Sequence, residues 1–293
     1  MLNRCTYSTY RKKCNPDTKF FKHDFHSHKE LEIYLFHRGN CNFLVHNEVY
    51  HLEPNDLLVM NGLTLHRLHA IPSEVYERSV VNFSAEGLQP IINSFNLPDL
   101  LKPFYMCNNI LFRGISNEQL IEFERLFKEI SELFQENELH TSNYEISLDQ
   151  NRLNDAKLQI LLIQLLLLVY KLSQTHSGVN LHQESDKEQH VRRITSWIEK
   201  HFHEDISLDD ISSSLNVSKY YMSHIFKEIT GGTIMKYLMS CRINRAKMLL
   251  ETERDLSVLD IAYESGFKHC SHFNRFFLQK VGTTPLEYRR RKV

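Results

Sequence analysis

Residues 209–231 read DDISSSLNVSKYYMSHIFKEITG, and residues 259–282 read LDIAYESGFKHCSHFNRFFLQKVG. These are one unit written twice. Ile211 recurs as Ile261 after fifty residues, and Phe226 and Gly231 recur as Phe277 and Gly282 after fifty-one, so the second copy has one residue added in its turn. Each copy reads as a short helix, a tight turn and a longer helix. Ser207 with Asp210 and Ser257 with Asp260 form capping boxes that open the short helices. Gly231 and Gly282 close the longer ones. The turns need a residue that tolerates positive φ, which Asn216 supplies in the first copy and Gly266 in the second. Leu208, Ile211, Leu215 and Val217 would face Met222, Ile225 and Phe226. Val258, Ile261, Ala262 and Phe267 would face Phe273, Phe276 and Phe277. This is the pattern of two packed helix-turn-helix units.

The outward faces of the longer helices then carry the chemistry. The first presents Lys219, Tyr220, Ser223, His224 and Lys227; the second presents His269, Ser271, His272, Asn274, Arg275 and Gln279. Arg reads guanine bidentately, Asn reads adenine, and Ser and His donate to phosphates. One such helix could be an ordinary solvated face, but a duplicated unit joined by a single helix over residues 234–251 argues for double-stranded DNA. That joining helix, with Arg242, Arg245 and Lys247, would hold the two longer helices about 34 Å apart, one turn of duplex. The charge agrees. From residue 186 onward there are 18 Lys and Arg against 14 Asp and Glu, whereas residues 1–185 hold 17 against 22. A basic half beside an acidic one suits a polyanion partner.

Within residues 206–290, the stretches RINRAKMLL, DIAYESGF, HFNRFF and GTTPLEYRR occur in order. Here the chain resembles the DNA-binding domain of AraC-type transcription regulators. The resemblance implies that Tyr220, Ser223 and His224 contact DNA from the first unit and Ser271, His272 and Arg275 from the second, and the outward faces add Lys219 and His269 as candidate contacts. That family often has Arg where this chain has His224. The resemblance also implies a homodimer acting on repeated or inverted sites in promoter DNA, usually an activator of carbohydrate or stress genes that works with RNA polymerase.

Residues 20–85 read as β, with strands at 31–36, 42–45, 56–60 and 80–83 separated by turn-forming pieces, a spacing that suggests a barrel or sandwich. Helices follow at 117–137, with Asn117 as N-cap, and at 148–174, the latter apolar on nearly all sides. Its greasiest part, residues 158–172, falls short of the roughly 20 residues a membrane span needs, so no membrane is expected. Packing within the chain or a dimer interface would cover it. The class is α+β, with residues 1–175 as a sensing and dimerising domain, 176–190 as a linker and 191–293 as the helical DNA-binding domain. No CxxC pair and no signal peptide are evident, pointing to a reduced cytoplasm with the six cysteines as buried thiols.

The sharpest constellation in this half is His26, His28 and Glu32, followed by Gly39 and later by His66. On a strand, 26, 28 and 32 would share a face. The spacing HxHxxxExxxxxxG with a later His resembles the cupin barrel, and AraC-type regulators commonly carry a cupin-like sensor. The resemblance implies a pocket lined by His26, His28, Glu32, Tyr34 and His66 for a small-molecule effector, and these polar groups suit a carbohydrate. That reading needs no cofactor, no metal and no catalytic residue. The alternative is a metal-dependent cupin enzyme fused to a DNA-binding domain, because three His and one Glu are adequate ligands for Fe, Mn, Ni or Zn.

Overall fold

The structure, a computed structural model, describes residues 5–14, 24–70, 75–105, 110–141, 148–175 and 185–291. Among the described residues, eight strands form two antiparallel sheets. They are β1 (Cys5–Cys14), β2 (Leu31–Arg38), β3 (Cys41–Val45), β4 (Glu48–His51), β5 (Leu57–Asn61), β6 (His66–Ala70), β7 (Tyr76–Phe83) and β8 (Ile110–Phe112). One sheet has the order β1-β7-β2-β5-β8 and the other β4-β3-β6. They face each other across a core of Tyr34, Phe36, Phe43, Val45, Leu58, Met60 and Val80. This is the flattened, cupin-like barrel that the residue pattern indicates.

Strand β2 shows why its sequence is a continuous apolar run rather than an alternation. Its even residues point into the barrel, while Leu31, Ile33 and Leu35 point outward under a layer of helices. A sheet covered on both faces needs apolar residues on both. The covering helices are α1 (Ala85–Ser94), α2 (Lys102–Tyr105), α3 (Asn117–Thr141) and α4 (Leu148–Thr175). Helix α3 starts one residue earlier than the capping pattern suggests. Ser116, not Asn117, exchanges hydrogen bonds with Gln119 across the first turn, at 3.3 Å each way. Helix α4 packs Leu158, Leu162, Leu165, Leu166, Val169 and Leu172 into the same core. Ile160, Gln164 and Lys171 are left on its exposed stripe, so packing within the chain accounts for most of its apolar surface. The helix is longer than its greasy centre. Arg152–Thr175 is long and apolar enough, by length and composition, to cross a membrane, and 44% of its most apolar window is buried here.

A buried ion pair ties the β4–β5 turn to the segment after β8. Arg113 donates to the two Asp56 oxygens at 3.0 and 2.7 Å and to the His51 carbonyl at 2.9 Å, and it pairs with Glu53 at 2.8 Å. Asp56 is 1% exposed. Removing one partner of a buried pair strands the other charge. Arg113→Ala should therefore cost about 3 kcal/mol of stability, read as a lower urea midpoint at unchanged slope. A midpoint within error of wild type would show that Asp56 is satisfied without Arg113.

The C-terminal half is helical: α5 (Asp186–His201), α6 (Leu208–Leu215), α7 (Lys219–Thr230), α8 (Ile234–Thr252), α9 (Val258–Glu264), α10 (Cys270–Val281) and α11 (Pro285–Arg291). Helix α5 begins five residues before the expected boundary at 191, opened by a capping box between Ser185 and Glu188. The last part of the expected linker is thus helical, and residues 176–184 lie outside the described residues. The capping boxes at Ser207 and Ser257 are present. Asn216 closes α6 at φ 52°. Gly266 sits at φ 88°, where a Cβ would lie 2.5 Å from the Phe202 carbonyl oxygen. Glycine there serves both the turn and the close approach of the second unit to the end of α5. Arg242 of α8 locks that junction by donating to the Phe202 and Glu204 carbonyls, both at 2.8 Å.

The candidate DNA-reading faces and sensor pocket

In the first unit, Met222, Ile225 and Phe226 of α7 are buried, which turns Lys219, Tyr220, His224 and Lys227 to solvent and leaves Ser223 half-buried. Several of these side chains already have neighbours. Lys219 pairs with Asp209 at 2.7 Å, and His224 lies 3.8 Å from Glu228 and stacks on Tyr220 at 6.1 Å. In the second unit, Phe273 and Phe277 anchor α10, and His269, Ser271, His272, Asn274 and Arg275 are exposed. Arg275 makes no hydrogen bond or ion pair with any described residue. Gln279 is exposed too and also lines a cleft against the barrel.

At the barrel mouth, His26, His28 and His66 each bring one ring nitrogen within 4.8 Å of the others. Strand alternation is not what gathers them, because β2 begins only at Leu31. His26 is held by a two-way backbone bridge to His66, at 3.1 and 2.9 Å. His28 is held by its N–H donating to the Gly62 carbonyl at 2.8 Å. Its ring lies so close to Gly62 that a Cβ there would sit 2.3 Å from Nδ1. Glu32 is buried beneath, its carboxylate 3.3 Å from His28 Nε2. Burial alone would raise the Glu32 carboxyl, but the His28 hydrogen bond and nearby positive charges outweigh it and hold it at about 2. Burial likewise opposes charge on His28, yet hydrogen bonds with Glu30 and Glu32 carry it up to about 9. Desolvation and the His66 imidazole push His26 down to about 3, and burial keeps His66 below its ordinary range.

These groups open onto a cavity of about 240 Å³, whose walls also include Tyr7, Phe43, Leu68, Arg78, Val80 and Asn82. Tyr34 is not among them. It shares a face with Glu32 but lies one residue pair deeper, fully buried against Phe43 at 5.3 Å, with the Arg78 guanidinium 5.6 Å from its ring centre. Alternation gives the face of a strand and not the depth along it. Tyr7 escaped the sequence reading because β1 is too polar to register as a strand. Arg78 escaped because the residue pattern begins this strand only at 80; Asn82, within it, shares the face of Arg78 and Val80.

Residues 24–30 form one part of the contact between the two halves, which also runs through Asn42, Asn47 and Arg67, donating to the Ile229 carbonyl, Ser196 and the Gly231 carbonyl at 3.1, 3.1 and 2.9 Å. Phe25, 3% exposed, inserts among Phe226, Tyr237 and Ile234 of the helical half. The Ser27 hydroxyl donates to Asn244 at 2.6 Å, and Lys247 donates to the Ser27 carbonyl at 2.8 Å. Lys29 pairs with Glu251 at 2.7 Å. Asp24 accepts from Lys236 of α8 and Lys280 of α10, which hold its carboxyl below the usual range although burial would raise it. The residues alternating with these anchors are His26 and His28.

Residues 8–166 match the model of the AraC-like ligand binding domain, and residues 211–291 match that of a helix-turn-helix domain. The HTH-type transcriptional regulator YdeC of Bacillus subtilis (strain 168) is 25% identical over 271 residues, 90% of this chain and 85% of that one. The melibiose operon regulatory protein of Escherichia coli (strain K12) is 23% identical over 282 residues, 90% and 83% of the two chains. The solved C-terminal domain of AraT, a response regulator from Geobacillus stearothermophilus, is 32% identical over 36% of this chain and 88% of that one, with a TM-score of 0.35. With more than half of its length matched by the ligand-binding model and a helix-turn-helix domain behind it, the chain belongs to the AraC-type transcription regulators.

Proposed function

We propose that this regulator is an activator that changes its grip on promoter DNA when a small polyhydroxylated effector, a sugar or polyol, enters the barrel mouth. The observation that carries the reading is the double duty of residues 24–30. Successive side chains serve the pocket (His26, His28) and the DNA-binding half (Phe25, Ser27, Lys29). A ligand that moves one set moves the other, which is the differential contact that coupling between sites requires. The carboxylate of Glu32, the imidazoles of His26, His28 and His66, and Tyr7 and Asn82 offer donors and acceptors for hydroxyl groups, above a floor of Phe43, Leu68 and Val80. Melibiose regulation in one relative is in keeping with a carbohydrate effector.

In this reading the DNA contacts come from Lys219, Tyr220, Ser223, His224, His269, Ser271, His272 and Arg275, domain 1–175 senses, and 191–293 binds DNA. The protein acts as a cytoplasmic homodimer with RNA polymerase as its partner at the promoter, and it catalyses no reaction. Exposed Ile121, Leu153 and Ile160 on α3 and α4 offer an apolar surface for the dimer. The test is operator affinity of the full chain against a panel of sugars and polyols. One compound should shift Kd by about 5- to 150-fold, and Glu32→Gln should remove the shift while leaving effector-free affinity intact. A flat response across the panel, or an unchanged shift in the variant, would sink the proposal.

A further inference from the structure

The cavity wall carries more positive charge than a neutral sugar calls for. Along the paired strands β2 and β7, Glu32 stands opposite Asn82 at the mouth, Tyr34 opposite Val80 comes next, and Phe36 opposite Arg78 lies deepest. Glu32, Arg78, Val80 and Asn82 all line the cavity. Its lining therefore runs from a carboxylate at the mouth to a guanidinium two cross-strand pairs below. The Glu32 carboxylate is engaged by His28, whose Nε2 is 3.3 Å away. The Arg78 guanidinium lies over two aromatic rings, 5.6 Å from the centre of Tyr34 and 5.8 Å from that of Tyr76. Burial opposes its charge, but Tyr76, Glu32 and Tyr7 more than offset this and keep it ionised. His28, at about 9, is also a cation at neutral pH, Glu32, at about 2, is an anion, and His26 and His66 are neutral. Among these wall groups, two positive charges face one negative. A charge held away from water is costly unless it is paired. A neutral sugar leaves the surplus charge as it is, whereas a ligand with one negative charge cancels it.

We propose that the effector is a small hydroxylated monocarboxylate, a uronic or aldonic acid, whose carboxylate is received by Arg78 deep in the cavity. The planar fork of a guanidinium matches the two oxygens of a carboxylate, and such charge-assisted pairs are the strong ones. The ring contacts with Tyr34 and Tyr76 fix where the fork stands. With its carboxylate there, the ligand turns its hydroxyl groups toward the mouth, where Asn82, Glu32 and the imidazoles meet them. The cavity of about 240 Å³ is smaller than the roughly 300–1,000 Å³ of drug-sized sites, which suits a single sugar unit. One surplus charge suits a carboxylate better than a phosphate monoester, which carries roughly −1.5 to −2 at neutral pH. The inference rests on reading the mouth as the sensor's ligand site and adds the charge of its ligand.

The probes are acids, each set beside the neutral compound that has a hydroxymethyl group in place of the carboxylate: galacturonate with galactose, glucuronate with glucose, gluconate with sorbitol and galactonate with galactitol. Binding to the full chain is read by calorimetric titration and as a thermal shift. At least one acid should bind more than about thirtyfold more tightly than its neutral partner. Arg78→Met, which removes the charge and keeps the bulk, should weaken that acid by a similar factor and leave the neutral partner's affinity unchanged. Arg78→Lys keeps the charge without the fork, so it should bind the acid more weakly than wild type and still prefer it to the neutral compound. That second variant separates loss of charge from a disturbed core. Arg78→Met binding the acid like wild type overturns the inference. A neutral compound that binds as tightly as its acid also overturns it, and the sensor reading then stands. If neither acids nor neutral compounds bind, the inference and the sensor reading fall together.

Discussion

Phe25→Ala should cost about 3–5 kcal/mol and split one thermal transition into two. Phe25 belongs by chain position to the sensor half, but its ring is packed inside the helical half. It meets Tyr237 edge-on at 5.0 Å and Phe226 at 6.1 Å, and the Arg67 guanidinium lies 5.1 Å from its centre. Gly232 is placed for it, since a Cβ there would lie 2.5 Å from the Phe25 ring. Truncation to Ala leaves a cavity that neither half can close alone. The remaining neighbours, Ile194, Ile198, Ile211, Met222 and Phe226, still form a core within the helical half. That half should therefore stay folded, bind DNA and melt separately in calorimetry, while effector response disappears. One transition at the wild-type midpoint would show that the contacts of β3, β4 and β6 with α5 and α7 hold the halves together without this ring.

Arg275→Ala should weaken binding to the cognate site by about 1–3 kcal/mol, roughly 5- to 150-fold, and relax the preference at one base position. Arg275 stands out among the candidate contacts because its guanidinium is exposed on α10 with no protein partner among the described residues. Binding DNA therefore breaks no existing ion pair. Lys219, by contrast, must leave Asp209. Competition binding on cognate and scrambled duplexes separates the roles. A base-reading Arg loses affinity on the cognate only, whereas a phosphate contact loses it equally on both and reduces the salt slope by about one.

The helical half was legible because its signals are local. Ser–Asp boxes, Asn216 and Gly266 at positive φ, and Gly231 and Gly282 after the second helices each report on their own few residues, and the duplication fixed which helices pair. The barrel half was legible where strands carry apolar runs, as in β2, β3, β5 and the end of β7. Strand β1, reading CTYSTYRKKC, is polar and charged because it lies at a sheet edge, and β6, reading HRLHA, carries polar groups because it serves the mouth and the joining surface. Helix α1 was hidden by Pro90 inside it. The His–Glu spacing pointed to the right corner of the barrel for a partly wrong reason. A two-way bridge and a close glycine gather those rings, and Tyr34 shows that parity alone does not tell the cavity wall from the core beneath. That residues 24–30 join the halves could not be read at all, because Ser27 and Asn244 lie 217 positions apart.

The central claim is that two helix-turn-helix units of one chain read adjacent turns of specific DNA. Footprinting the purified full chain on its source genome, at physiological salt with competitor DNA, tests it most directly. The account predicts discrete protected sites, each about two helical turns long per bound subunit, with protection thinned over one turn in Arg275→Ala. Diffuse protection without sequence preference, lost steeply as salt rises, would contradict it.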